Sequence, residues 1–459
     1  MRFRRYCSLV LVSWFLASGA ALRAQTPTPQ LVPEPREFDF YARGPYRGTL
    51  PRPADLLGYA PGDFYANYGA IERVLRDYAA KSDRVKLMEM GRTNEFRTMY
   101  LLAISSPGNL ARLDAIQAAN RRLADPRAAL NPGELDTLLK RQPIIVWLSY
   151  NIHGDEAAGT EAAMQVLYQL LDGNDPVLNT ALENVVVLMN PCQNPDGRER
   201  FVTWANAHGI GRPETFAYEK TNPWNVQGRY NHYYFDLNRD MLVSSQVESR
   251  AAMAAFLAWK PQVSADHHGE TKEYFFPPAA LPINANLSRL ELEKWLERFG
   301  RGNAAAFDRH GWLYYVRDVF DVFYPGYWDS WPALHGATGM TYETSGGGKL
   351  GRNHRRDDET IQTLRNAIAK HVTASLATIE TAAANRVERL RAFRQHFVDA
   401  LAAGGLGDVR QFVVPPPRDA RRAGELLSVL LRNGIEVRRA RTEFTVKASR
   451  DYLGREPQE

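Results

Sequence analysis

Short apolar runs recur along this chain, separated by longer stretches in which apolar residues return every three or four positions. Ile144 to Tyr150 is the clearest run and predicts a central strand covered on both faces, followed by an amphipathic helix over Gly159 to Leu171. Val185 to Met189, Pro261 to Ala265 and Met340 to Tyr342 are further buried strands on the same pattern. Ahead of them, Tyr68, Ile71, Val74, Leu75 and Tyr78 give Tyr65 to Ala80 a helical period, and Val85 to Met90 and Thr98 to Ile104 read as strands. Leu110 to Lys140 reads as helix interrupted at Pro126 and Pro132. A long helical region, Glu359 to Ala402, closes this part of the chain. Gly404 to Gly407 then reads as a break before a strand, a helix and a strand over Val409 to Val414, Ala420 to Asn433 and Ile435 to Arg438. Helices between strands predict an α/β fold with a mixed sheet between helical layers, which collects ligands at strand carboxyl ends.

The first residues follow a different logic. Arg2, Arg4 and Arg5 precede an apolar stretch, Ser8 to Ala21, too short for a stable span, and Ala20, Ala21 and Ala24 offer small residues for cleavage. Residues 1–24 therefore predict a secretory signal, a secreted or periplasmic protein, and no stable membrane span after cleavage. Removing them takes away Arg2, Arg4, Arg5 and Arg23 and no acid, so the net charge of +5 falls to +1. So small an excess gives no case for a nucleic-acid partner. Cys7 leaves with the signal and Cys192 remains, so no internal disulfide holds the fold; a core built from 44% hydrophobic residues has to. Residues 25–60, rich in proline to Pro53, predict an extended strap, residues 61–403 the main domain, and 404–459 a small or incomplete α/β appendage.

Four polar clusters are expected at the ends of apolar runs: His153-Gly154-Asp155-Glu156, Asp236-Leu237-Asn238-Arg239, Asp266-His267-His268-Gly269 and Thr341-Tyr342-Glu343. An imidazole and a carboxylate three apart, as in His153 and Glu156, reach one ion from a strand-to-helix loop. Strand alternation allows only one of the paired histidines to point easily into the same pocket, and His268 is the choice, with Asp266 on its side and His267 packing elsewhere. Two histidines and one glutamate leave a fourth position open, the pattern of a catalytic rather than a structural Zn2+ site. Asp236 is suited to accept the other ring N–H of a ligand histidine. Glu343 is the expected general base, taking the proton of the attacking water and passing it to the leaving amine.

In order and combination, Gly91 to Arg97, His153 to Glu156, Asn194-Pro195-Asp196-Gly197, Asp236 to Asp240, Asp266 to Gly269 and Glu343 resemble the zinc metallocarboxypeptidases of the carboxypeptidase A-like family, over about residues 60–386. The resemblance implies a three-layer αβα sandwich with a mixed, about eight-stranded sheet, one zinc ion, and a peptide or protein substrate with a free C-terminal carboxylate. It implies that Asn238 and Arg239 clamp that carboxylate and that an arginine stabilises the oxyanion; Arg229 is the candidate, with Arg198, Arg200 and Arg212 in the same stretch. A phenol over the bound substrate is also implied, and Tyr324 is preferred to Tyr327. Similar proteins usually carry Gly where Phe96 stands, and the glycines after Glu343 resemble a bacterial branch. The scaffold also serves amidases of cell-wall peptides and deacylases of acylated amino acids. A peptide-binding protein without turnover would be expected to have lost a ligand or the base, and His153, Glu156, His268 and Glu343 are all present.

Overall fold

The computed structural model describes residues 38–208, 226–270, 272–346, 351–356 and 359–406, and beyond them 409, 411–414, 419–446, 449–451 and 454–455. The predicted signal, residues 1–24, lies outside the described residues. Among the described residues twelve strands are formed: β1 Val85–Arg92, β2 Thr98–Ile104, β3 Ile144–Tyr150, β4 Val185–Asn190, β5 Val263–Glu270, β6 Tyr274–Phe275, β7 Ala280–Ile283, β8 Tyr314–Tyr315, β9 Asp321–Val322, β10 Thr338–Ser345, β11 Asn353–Arg355 and β12 Ile361–Thr363. Eight of them make one sheet in the order β1-β2-β4-β3-β5-β10-β6-β8, while β7 pairs with β9 and β11 with β12. The centre is parallel, β4, β3, β5 and β10 running the same way, and β2 and β6 meet it antiparallel.

Alternation along the strands divides the core. Val146, Leu148 and Tyr150 of β3 pack with the helices Ala158–Asp172, Arg289–Asp308 and Leu364–Ala384, whereas Ile145 and Trp147 pack on the other face with Phe256, Met253, Ile116 and Trp328. Both faces of the sheet are therefore covered, in three αβα layers, and an apolar run is what such a strand requires. The helix ends follow local chemistry. Asn67 and Thr363 cap the helices Tyr68–Lys81 and Leu364–Ala384 through their side chains, and Asn131 with Glu134 forms a capping box before Pro132–Arg141. The described part of the strap is held at the end of the helix Ala158–Asp172. There the Asp172 carboxylate accepts the backbone N–H groups of Gly48, Thr49 and Leu50 and the Thr49 hydroxyl.

Several expectations are corrected. β5 and β10 run through the clusters at Asp266–His268 and Glu343 instead of ending before them, so these side chains are aimed by strand register. Asp236 follows no strand; it caps the short 3-10 helix Leu237–Arg239. The region from Glu359 begins with β12 and splits at Asn385 into two helices, the second, Arg386–Leu406, running through Gly404 and Gly405. In the appendage the helix Ala420–Arg432 forms, but the described residues of the two predicted flanking strands are not in strands. Among the described residues they pair with no strand, so their main-chain groups join no ladder there.

Candidate active site

The carboxyl ends of β3, β5 and β10 lie side by side, with Ser149 opposite Asp266, Asp266 opposite Thr341, and His268 opposite Glu343. Period-two alternation puts Asp266, His268, Thr341 and Glu343 on one face and His267 on the other. His267 stacks on Tyr150 with ring centroids 4.1 Å apart and bonds the Ser149 carbonyl and the Ser375 hydroxyl. Burial pushes the pKa of His267 well down, and that of His371 beside it down to about 3, so both rings are neutral.

The loop after β3 brings His153 and Glu156 to the same place. Asn151 adopts a left-handed backbone (φ 60°), and its amide donates to the carbonyls of His153 and Glu156. His153, Glu156 and His268 are buried, and one donor atom from each lies within 4.8 Å of the others. Among the described residues no other group of three such side chains is formed. The Nε2 of His153 is 3.0 Å from Asp236 and the Nε2 of His268 is 2.7 Å from Asp266. Because a carboxylate only accepts, both Nε2 atoms carry protons in the neutral rings and both Nδ1 lone pairs point inward. These Nδ1 atoms stand 3.2 Å apart, and each is 3.0 Å from an oxygen of Glu156.

Lone pairs crowded in this way attract a cation, and two nitrogens with a carboxylate fit zinc. The charge states follow the same logic. Burial works against the charge of Glu156, yet His153 and His268 hold its carboxyl well below its ordinary value. Burial likewise opposes protonation of His268, yet Asp266 and Glu343 hold its pKa well above the usual histidine range. A proton, the smallest cation, is drawn to the same spot.

A cleft of about 290 Å³ opens over this cluster, lined among others by Arg229, Asn238, Arg239, Tyr327 and Glu343. Asp236 caps Asn238 N and takes the guanidinium of Arg229 at 2.9 Å. Arg229 also reaches within 3.2 Å of His153 Nδ1 and 3.4 Å of Glu156. Burial disfavours its charge, but Glu156, Asp236 and Asp155 raise its pKa above the ordinary arginine value. The other arginines of the stretch are employed elsewhere: Arg198 is fully buried against Glu161, Arg200 donates to the carbonyls of Gln227 and Asn231, and Arg212 lies outside the described residues.

Asn238 Oδ1 accepts Trp328 N at 2.7 Å, while its Nδ2 lies 3.4 Å from His268 Nε2, whose proton is committed to Asp266. Two donors facing each other make no bond, so among the described residues the Asn238 amide hydrogens meet no acceptor and face the cleft. Arg239 is exposed and lies 4.6 Å over the ring of Tyr327. Tyr324 donates to the Arg239 carbonyl at 3.2 Å and is outside the cleft lining, whereas Tyr327 is part of it. Asp266, on the His268 side of β5, proves to be the partner of that ring: an acid two positions before a histidine on one strand shares its face, which is the signal that finds it. Phe96 has φ 62° and is 78% exposed in the turn between β1 and β2.

Residues 71–349 match the family model described as zinc carboxypeptidase. Human carboxypeptidase D is 25% identical over 228 residues, which make up 47% of this chain and 13% of that protein, so the chain spans a small part of that relative. Among solved structures, a metallo-carboxypeptidase from Burkholderia cenocepacia is 17% identical, covering 69% of this chain and 68% of its own with a TM-score of 0.46. A metallo-carboxypeptidase from Pseudomonas aeruginosa in complex with (2-guanidinoethylmercapto)succinic acid is 15% identical, covering 71% of this chain and 70% of its own with a TM-score of 0.47. With well over half of its length matched by that family model, the chain belongs to the zinc carboxypeptidase family.

Proposed function

We propose that this chain is an exported zinc carboxypeptidase that removes the C-terminal residue of peptides or proteins, with His153, Glu156 and His268 holding the metal. The observation that carries the reading is the placing of Asn238 and Arg239 on one short 3-10 helix at the cleft over that cluster, with the amide hydrogens of Asn238 available. A guanidinium and an amide at one end of a cleft suit a free carboxylate, which Arg239 would hold bidentately. Zinc, when bound, supplies a Lewis acid for a carbonyl oxygen and for water. Glu343 removes the proton from the attacking water and delivers it to the amine that leaves. Arg229 steadies the negative charge that develops on the carbonyl oxygen. Asp236 and Asp266 keep the two imidazoles in one tautomer and one orientation. The phenol of Tyr324, or that of Tyr327 on the cleft wall, covers the bound substrate.

Residues 61–403 are proposed as the catalytic domain, 25–60 as its strap and 404–459 as an appendage. The signal-like residues 1–24 support a secreted or periplasmic location, and no described helix is long and apolar enough to cross a membrane. The test is mass spectrometry of a mixed peptide library incubated with zinc-loaded protein, with Glu343→Gln run alongside. Stepwise loss of C-terminal residues in the wild type alone is expected. An intact library with zinc bound would overturn the reading in favour of cell-wall peptides, acylated amino acids or a binding role.

A further inference from the structure

On the face of the sheet away from the cleft, the buried helix Leu364–Ala384 carries polar side chains at His371, Ser375 and Thr378, spaced to share one stripe. Each reaches the strands that carry the site. Thr378 bonds the hydroxyl of Tyr342, Ser375 bonds His267 and Tyr150, and His371 places Nε2 2.9 Å from the main-chain carbonyl oxygen of His268. Nδ1 of His371 is 2.8 Å from the hydroxyl of Tyr274, and both rings are fully buried.

We propose that His371, oriented by Tyr274, is a positioning residue for the metal centre: it clamps the carbonyl of His268 and thereby fixes how that imidazole meets the metal. A carbonyl only accepts, so Nε2 of His371 carries the ring proton, and the lone pair on Nδ1 accepts the Tyr274 hydroxyl. The tautomer is set by this chain of bonds. The peptide plane it holds joins His268 to Gly269, the residue type with the least backbone restriction. A Cβ at Gly269 would come within 3.3 Å of the Cβ and Cγ of Glu156, a tight contact, so Glu156 packs directly against this residue. The peptide that carries the His268 carbonyl therefore lies beside two of the three donors, and Asp266 restrains only the far end of the His268 ring. His371 holds the peptide itself.

The inference rests on His153, Glu156 and His268 being the metal donors. It is tested on the full chain stripped of metal, with zinc affinity measured by competition with a chromogenic chelator and site geometry read from the visible spectrum of the cobalt(II) form. Removing an outer partner of a metal ligand weakens binding about 10–100-fold. His371→Leu is expected to show a loss of that size and an altered cobalt spectrum. His371→Gln, whose amide can donate to the same carbonyl, recovers most of the affinity. Tyr274→Phe loses less than His371→Leu, because the ring keeps its donor and loses only what orients it. Metal-free thermal melts, run on every variant, separate a general loss of stability from the glutamine rescue that positioning requires. Wild-type zinc affinity and cobalt spectrum in folded His371→Leu would overturn the proposal. If that variant does not fold, Tyr274→Phe decides, a loss supporting the clamp and wild-type affinity overturning it. His268→Ala separates the two readings: zinc bound as tightly as in the wild type refutes the donor assignment, whereas zinc lost there but retained in His371→Leu refutes the clamp alone.

Discussion

Gly154 stands between His153 and Asp155, where three backbone segments cross, and Gly154→Ala tests how rigidly the site is built. An ideal Cβ at residue 154 would lie 2.2 Å from the nitrogen of Arg198, 2.3 Å from the carbonyl carbon of Gly197 and 2.5 Å from the oxygen of Gly228. All three are main-chain atoms, so no side chain can turn aside. Restoring an ordinary contact of about 3.5 Å requires the segments to part by more than about 1 Å. The helix Pro195–His208 cannot retreat easily, because Arg198 is locked to Glu161 and to the carbonyls of Ala66 and Ala157. The loop must move instead, and it carries His153 and Glu156. Overpacking of this kind costs about 1–3 kcal/mol, and a functional group displaced by more than about 0.5 Å no longer holds its productive geometry. Gly154→Ala is therefore expected to lower the denaturant midpoint of the metal-free protein and to weaken zinc binding at least about tenfold, as far as loss of an outer ligand partner does. Gly69→Ala is the control: its Cβ would meet only Asn67 Oδ1, at 3.7 Å, in the first turn of the helix Tyr68–Lys81. It should be neutral or gain up to about 1 kcal/mol from helix propensity. Unchanged unfolding and unchanged zinc affinity in Gly154→Ala would refute the reasoning, because the crossing would then be loose.

Glu343→Gln should abolish turnover of a peptide substrate while zinc stays bound; wild-type turnover would remove Glu343 as the base. Asp266→Asn should weaken zinc binding about 10–100-fold in the chelator assay, and unchanged affinity would show that the 2.7 Å contact to His268 does not orient the ligand. Asp172→Asn should cost about 1–3 kcal/mol in denaturant unfolding, since one buried carboxylate satisfies several donors of the strap. Burial opposes the charge of Asp172, but the Thr49 hydroxyl and the N–H groups of residues 48–50 hold its pKa below the ordinary value. Its contribution is complete above the unfolded pKa near 3.9 and is lost as pH falls through the lower folded value, so the variant and the wild type should converge in stability there. Phe96→Gly should be neutral or stabilising by up to about 1 kcal/mol, because the left-handed backbone suits glycine and the exposed ring buries little. A clear loss would give the Phe96 ring a packing role.

How much of this molecule was legible depended on whether a feature lies in local pattern or in pairing. Ile144 to Tyr150 and Thr98 to Ile104 match β3 and β2 because a strand buried on both faces writes itself as an apolar run. The polar ends of β5 and β10 were missed because His267, His268 and Glu343 are polar where a buried strand is expected to be apolar; the sheet continues because β5 and β10 pair with each other through Ser345 and Glu270. The proposed strands of the appendage failed for the converse reason, since apolar pattern alone supplies no neighbour. Asp236 was assigned its place beside a ligand histidine from chemistry, and its contact with His153 crosses 83 residues of chain. The grip of Ser375 and His371 on β5 was not legible, since a serine or histidine inside an apolar helix has no pattern that says which strand lies beneath it.

The adjacent pair His267 and His268 gives the sharpest test of strand alternation as the device that separates structure from chemistry. Both are fully enclosed, and one residue of register exchanges their faces. His268→Ala removes one of the cluster's Nδ1 donors and leaves the Asp266 carboxylate without its hydrogen-bond partner, so zinc binding should be lost. His267→Ala leaves all three donors in place. It deletes a fully buried ring stacked 4.1 Å from Tyr150 and two hydrogen bonds, to the Ser149 carbonyl and the Ser375 hydroxyl. A large-to-small change of this kind, with a buried acceptor left unsatisfied, costs about 3–5 kcal/mol. The expected result is a double dissociation, with zinc affinity lost in one variant and global stability in the other, read by chelator competition and by denaturant unfolding of the metal-free proteins. The reverse pattern would mean that β5 is shifted by one residue relative to β3 and β10, and every placement on the cleft face that depends on that register, Asp266 included, would fall with it.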